Sequence, residues 1–171
     1  MNPLKALRDM RTIGHLLADA ETLARAKGED QPGAEHLLLA ALDLPDGSAR
    51  RAFQRLEVDP DALRAALDRH DVDALIAIGI EPERAGLLGA PAPLDPATGS
   101  GVYRSRASAQ EAFQAASAMA RSAKVPLAGA HVVAAVAGLE HGTAARVLAA
   151  IGVDRRALAN AAQEELGGQS R

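Results

Sequence analysis

Five histidines, His15, His36, His70, His131 and His141, and a complete lack of cysteine set the chemistry open to this chain of 171 residues. A zinc or iron–sulfur centre needs several such ligands at compact spacing. None of the histidines lies in an HExxH arrangement and no Cys completes a set, so no metal site is expected. Thiol catalysis and disulfides are excluded by the same count. Gly99, Ser100 and Gly101 resemble a nucleophile turn or phosphate cradle only superficially. They form no GxSxG, they lack the lysine of a phosphate loop, and they follow a Pro-rich stretch, so they read as tether. No GxxxxGK[ST] occurs anywhere, which excludes ATP hydrolysis by a P-loop. Acid pairs such as Asp59 with Asp61 and Glu164 with Glu165 sit at helix starts or on surfaces, with no sign of a pocket that would push one pKa away from the other. No enzyme, catalytic residue or cofactor is therefore expected.

Two positions keep a functional reading. In GAEHLLLAAL, Glu35 and His36 follow Ala34 at the start of an apolar helix, and in AGAHVVAAV, Ala130 and His131 stand in the matching places. A carboxylate in the first turn of a helix is favoured by the helix dipole whether or not a ligand is present. A histidine there has a structural hydrogen bond as its default explanation.

These residues are carried by an internal duplication. Aligning His36 with His131, an offset of 95 residues, brings into register Gly47 with Gly142, Arg51 with Arg146, Asp59 with Asp154 and Leu63 with Leu158. Matches on both punctuation and apolar positions indicate a repeat. Each copy reads as four helices. The first carries Leu16, Leu17, Ala20, Leu23 and Ala24 as one stripe, ended by Gly28, and its partner carries Ala112, Phe113, Ala116, Met119 and Ala120, here at an offset of 96. The second buries Leu37, Leu38, Ala41 and Leu42, or Val132, Val133, Val136 and Ala137. A DLPDGS or LEHGT turn introduces the third, and Asp59 with Pro60, or Asp154, opens the fourth.

The expected architecture is all-α, a pseudo-twofold bundle of two four-helix repeats with an expanded linker. Residues 1–171 form one domain, with repeat 1 over 12–70, a linker over 71–105 and repeat 2 over 106–166. Within the linker, IGIEPERA from Ile78 predicts a further short helix, and the Pro, Gly and Ser from Gly89 to Gly101 predict an exposed connection. Arg104 and Arg106 read first as solvated charge before the next helix, with contact to an acidic partner as the alternative. The formal net charge of −3 argues against nucleic acid as a partner. Nothing approaches the roughly 20 apolar residues of a membrane span, and the charge-broken N-terminus lacks a signal sequence, so a cytoplasmic location is expected.

Tandem EHLLLAAL helices, the DGSARR turn and the LEVDPDAL cap resemble the N-terminal, or Clp repeat, domain of ClpA- and ClpC-type ATPases over residues 12 to 166. The resemblance implies a stand-alone copy of that domain without its ATPase modules. It implies a protein- or peptide-binding role in the Clp protease system, as adaptor, substrate receptor or decoy, with Clp subunits or their substrates as partners. It extends to arginine-phosphorylated proteins, whose guanidinium would meet the acid of a GTEH motif, and to cyclic-peptide antibiotics directed at ClpC. Glu35, Ala34 and His36 occupy that motif in repeat 1. Ala130 and His131 occupy it in repeat 2 without the acid. The alternative is a Clp-N fold reused as a structural or regulatory interaction protein unrelated to proteolysis.

Overall fold

The computed structural model describes residues 3–77 and 105–168. The short helix expected from Ile78 and the connection from Gly89 to Gly101 lie outside the described residues, as does Arg104. All regular structure among the described residues is helical: α1 (Pro3–Ala26), α2 (Ala34–Leu42), α3 (Ser48–Gln54), α4 (Asp61–Ala77), α5 (Ala107–Ser122), α6 (Gly129–Ala137), α7 (Thr143–Ala150) and α8 (Arg155–Gly168). The fold class is the one expected.

Apart from Glu35, His36 and His131 in their first turns, helices α2 and α6 are apolar around their whole circumference, and every residue of both is buried. That is the signature of a helix enclosed by others rather than lying on a surface. They pack on each other at the centre, with α1 against α2 and α5 against α6. Third and fourth helices of opposite copies pack on each other, while α8 also lies against α6 of its own copy. α3 lies on α8 and α4 on α7. Phe53 of α3, wholly buried, joins Leu37, Leu38, Val132, Leu148 and Leu158 in one continuous core. Glu165, buried on α8, fastens the α3 crossing by accepting hydrogen bonds from Arg51 Nε at 2.7 Å and Arg55 Nε at 2.6 Å. Burial alone would raise its pKa, but the two guanidinium groups outweigh burial and hold it below the ordinary carboxylate range.

The caps explain why the elements stop where they do. Asp59 Oδ1 accepts the Asp61 N–H at 2.9 Å, and Asp154 Oδ1 accepts the Ala157 N–H at 2.9 Å, so both fourth helices start as expected. Four helices end in the same left-handed closure: Glu29 N–H to Ala24 O, Val58 N–H to Phe53 O, Val125 N–H to Ala120 O and Val153 N–H to Leu148 O, at 2.9 to 3.2 Å. The residue turning left-handed is Gly28 (φ 74°) after α1 but Lys124 (φ 57°) after α5, and Glu57 (φ 56°) after α3 but Gly152 (φ 73°) after α7. Each equivalent pair thus holds one glycine and one residue with a side chain.

Two helices outrun the repeat. α1 begins at Pro3, and α4 continues to Ala77 because no Gly or Pro interrupts it before Gly79. The extension of α1 has a structural task, since Asp9 Oδ1 accepts the Leu127 N–H at 2.9 Å in the loop before α6.

Candidate functional site

A helix start leaves backbone N–H groups without intrahelical partners. At both α2 and α6 these donors are buried, so each must be satisfied from elsewhere, and the two copies do so differently. The histidines work alike. Gly33 N–H donates to His36 Nδ1, and Ala128 N–H donates to His131 Nδ1, both at 3.1 Å. This is half a capping box, the other half being absent because neither glycine nor alanine offers a side-chain acceptor. An imidazole accepting at Nδ1 carries its proton on Nε2 when neutral. Both Nε2 atoms are buried without a partner among the described residues. Burial lowers the His131 pKa against the opposing pull of its Ala128 contact and of Asp46 and Asp9, which keeps the ring neutral at physiological pH.

In copy 1 the next two donors are met locally and from α5. Ala34 N–H donates to Ser108 Oγ at 3.3 Å, and the carboxylate of Glu35 folds back onto its own N–H. The space for that fold comes from Gly33. A Cβ there would lie 2.2 Å from Glu35 Oε1. Arg106, at the start of α5, closes the arrangement, with Nη2 at 2.6 Å from Glu29 Oε2 and Nη1 at 3.5 Å from Glu35 Oε1. Burial raises the Glu35 pKa, but the His36 imidazole, the Glu35 N–H and the Arg106 charge outweigh it, and the carboxyl stays below its ordinary value. The expectation of solvated charge at Arg106 is corrected here, since the guanidinium is engaged by two acids.

In copy 2 the equivalent donors reach across to copy 1. Gly129 N–H donates to the Asp46 carboxylate at 3.2 Å, and Ala130 N–H donates to Ser48 Oγ at 2.8 Å. Asp46 is itself oriented by Ser48, whose N–H and hydroxyl both donate to it. Gly129 permits the approach, because a Cβ would meet Ala41 O and Ala49 Cβ, each at 2.9 Å. The acid missing from Ala130 is thus replaced by Asp46 from the DGS turn, a residue the repeat alignment left among turn formers. Gly33 and Glu35 give way together to Ala128 and Ala130, as they must if the glycine exists to house the carboxylate.

The sites differ in what remains open. His131, Asp46, Thr12, Val125, Leu127 and Leu166 help line a cavity of about 550 Å³ at the start of α6. Beside it, Ile13, Phe113, Ala120, Val125 and Leu127 line a second, largely apolar cavity of about 580 Å³ between α1 and α5, rimmed by Arg121. The segment Val125–Leu127 borders both. Glu29, Glu35 and His36 are the one group among the described residues with metal-like proximity, their donor atoms all within 4.8 Å. His36 Nδ1 is already occupied by Gly33 N–H, and Arg106 supplies the counter-charge, so the donor set does not fit a cation.

Residues 11–75 match the family model of the Clp repeat (R) N-terminal domain. That match falls on the first copy. The whole chain is similar in fold to the N-terminal domain of the caseinolytic protease associated chaperone ClpD from Arabidopsis thaliana, with a TM-score of 0.52 and 21% identity, over 94% of this chain and 92% of that one. No curated protein matches the chain. The likeness to the Clp repeat spans α1 to α3, the DGS turn and the cap at Asp59. It leaves the contents of the two α2 and α6 sites to the particular residues of this chain.

Proposed function

We propose that this chain is a non-enzymatic binding module of the Clp type, which receives peptide segments or partner proteins for the Clp protease system as adaptor, substrate receptor or decoy. The observation that carries this reading is the pair of cavities on either side of Val125–Leu127. Both are mainly apolar, each with a few polar groups in its wall, Gln110 and Arg121 in one and Asp46 and His131 in the other, a combination that holds a side chain while fixing its orientation. Phe113, one of only two phenylalanines in the chain, lies in the first, a trough between α1 and α5. No described helix is long and apolar enough to cross a membrane, and the proposed place of action is the cytoplasm. Cyclic peptides directed at ClpC-type domains would use the same trough. An arginine-phosphorylated client would use the cavity at the start of α6, which Asp46 and His131 border, in preference to Glu35, which is already engaged.

Anisotropy of fluorescein-labelled casein, with and without arginine phosphorylation, tests the proposal. Saturable binding by the wild type and at least tenfold weaker binding by Phe113→Asp is the expected result. Equal binding by both, or none by either, removes the trough from the account. The alternative, a Clp-N fold serving an interaction unrelated to proteolysis, draws support from the engagement of Glu35 by Arg106. Affinity capture from the native host separates the two. Clp ATPase subunits in the eluate support the first reading, and reproducible partners outside the Clp system support the second.

A further inference from the structure

His36 and His131 hold equivalent caps but differ in their means of carrying a proton. Each ring is closed to solvent, 0% and 1% exposed, and accepts one backbone N–H at Nδ1, from Gly33 or Ala128. A protonated imidazole donates at both nitrogens, so a proton on Nδ1 turns that hydrogen bond into two donors facing each other. Neither Nε2 has a described partner to help from the other side. In copy 1 a carboxylate stands ready for the new donor, with Glu35 Oε1 at 3.3 Å from His36 Nδ1. In copy 2 that glutamate is Ala130, which offers no acceptor.

The charges around His131 are committed elsewhere. Asp46, before α3, and Asp9 of α1 act on the ring through space, but they already accept the N–H groups of Gly129 and Leu127. Of the helices packed on α6, α2 is apolar beyond its first turn, and Arg51 and Arg55 of α3 pair with Glu165 of α8. Arg121 of α5 and Lys124 just past it line the Phe113 cavity, and Arg146 of α7 reaches Thr143. The segment that the Ala128 cap holds is the wall between the two cavities, since Val125 and Leu127 border both. Lys124 leads into it in left-handed backbone, which a residue with a side chain resists.

We infer that the Ala128–His131 contact is a proton-operated latch on this wall: mild acid loosens the start of α6 and Val125–Leu127 together and leaves the start of α2 in place. Burial sets the direction of the effect. It holds the folded pKa of His131 below the ordinary 6.5, so the contribution of the cap is complete above that value and is lost as pH falls through the folded one. Faster release of ligand in acid follows if the cavities bind as proposed. The latch itself is tested without a ligand.

The test is amide hydrogen exchange of the full ¹⁵N-labelled chain from about pH 7.5 to about pH 5.5, each rate divided by the intrinsic rate at that pH. Long-range ¹H–¹⁵N spectra follow the charge of each imidazole in the same samples. Protection of Leu127, Ala128 and Gly129 is expected to fall about fivefold, in step with the titration of His131, while Gly33 keeps its protection. His131→Gln supplies an acceptor at the same helix position that does not titrate, and should hold protection constant. Constant protection in the wild type, a loss that survives His131→Gln, or an equal loss at Gly33 overturns the inference. Should the variant fold poorly, the wild type decides alone, because a loss that does not follow the His131 titration overturns it equally.

Discussion

The starts of α2 and α6 solve one physical problem with two sets of residues. At α2 the donors are met by Glu35 on itself and by Ser108, and Arg106 seals the outside. At α6 they are met by Asp46 and Ser48 from the other copy, and a cavity remains. The histidine half of each cap is the same. What a duplicated helix start must keep is satisfied donors, while the source of the acceptors is free to move between copies. A site that has lost its acid by alignment has not lost it in space. The comparison also separates two uses of a glycine. Gly33 makes room for a carboxylate, and Gly129 makes room for neighbouring helices.

That separation is the sharpest place to break the comparison. Gly129→Ala forces a methyl against the backbone of α2 and the Ala49 side chain, and overpacking of this kind is expected to cost about 2–3 kcal/mol in urea unfolding. Gly33→Ala meets only the movable Glu35 carboxylate, which can swing out, and is expected to cost less than half as much. Equal losses would mean that the two glycines share a backbone role instead.

The caps themselves give the next largest effect. Asp46→Ala removes the acceptor of Gly129 N–H, and loss of such a cap should cost about 1–2 kcal/mol at pH 7. Glu35→Gln is expected to act chiefly through pH. The folded pKa of Glu35 lies below its unfolded value near 4.5, so its contribution is fully present above that value and is lost as pH falls through the folded one. Stability measured from pH 7 to 3 should therefore fall less steeply in Glu35→Gln than in the wild type. An unchanged slope would show that Glu35 gains nothing from its neighbours.

The smallest effect is a gain. Glu57 holds a left-handed backbone where its copy 2 counterpart is Gly152, so Glu57→Gly should raise stability by up to about 1 kcal/mol. A loss would mean that the Glu57 side chain makes a contact worth more than the strain.

The sequence made the skeleton of this comparison readable and hid its content. Periodicity shows that α2 and α6 are buried, Asp59 and Asp154 announce the caps, and Gly28 announces a helix end, because each is a local preference acting within a turn or two. Asp46 reaching Gly129 is separated by 83 residues, and no local rule says which helix start a turn will face. Arg106 was obscured for a different reason. An arginine ahead of a helix is ordinarily solvated, and only the docking of α5 over α2 brings it to Glu29 and Glu35. One signal did exist. Ala128 and Ala130 carry no acceptor, so a buried α6 start required an outside donor of oxygen atoms, and the DGS turn was the nearest polar cluster in the other copy.

The crossing of α3 onto α8 and α4 onto α7 has a consequence for how the two copies exist at all. The third helix of each copy packs on the second helix of the other, α3 on α6 and α7 on α2, while α8 stays against α6 of its own copy, so the two copies share one interior. A chain cut between residues 78 and 104 would be expected to persist as two noncovalently assembled pieces, joined by shared interior instead of by peptide bonds.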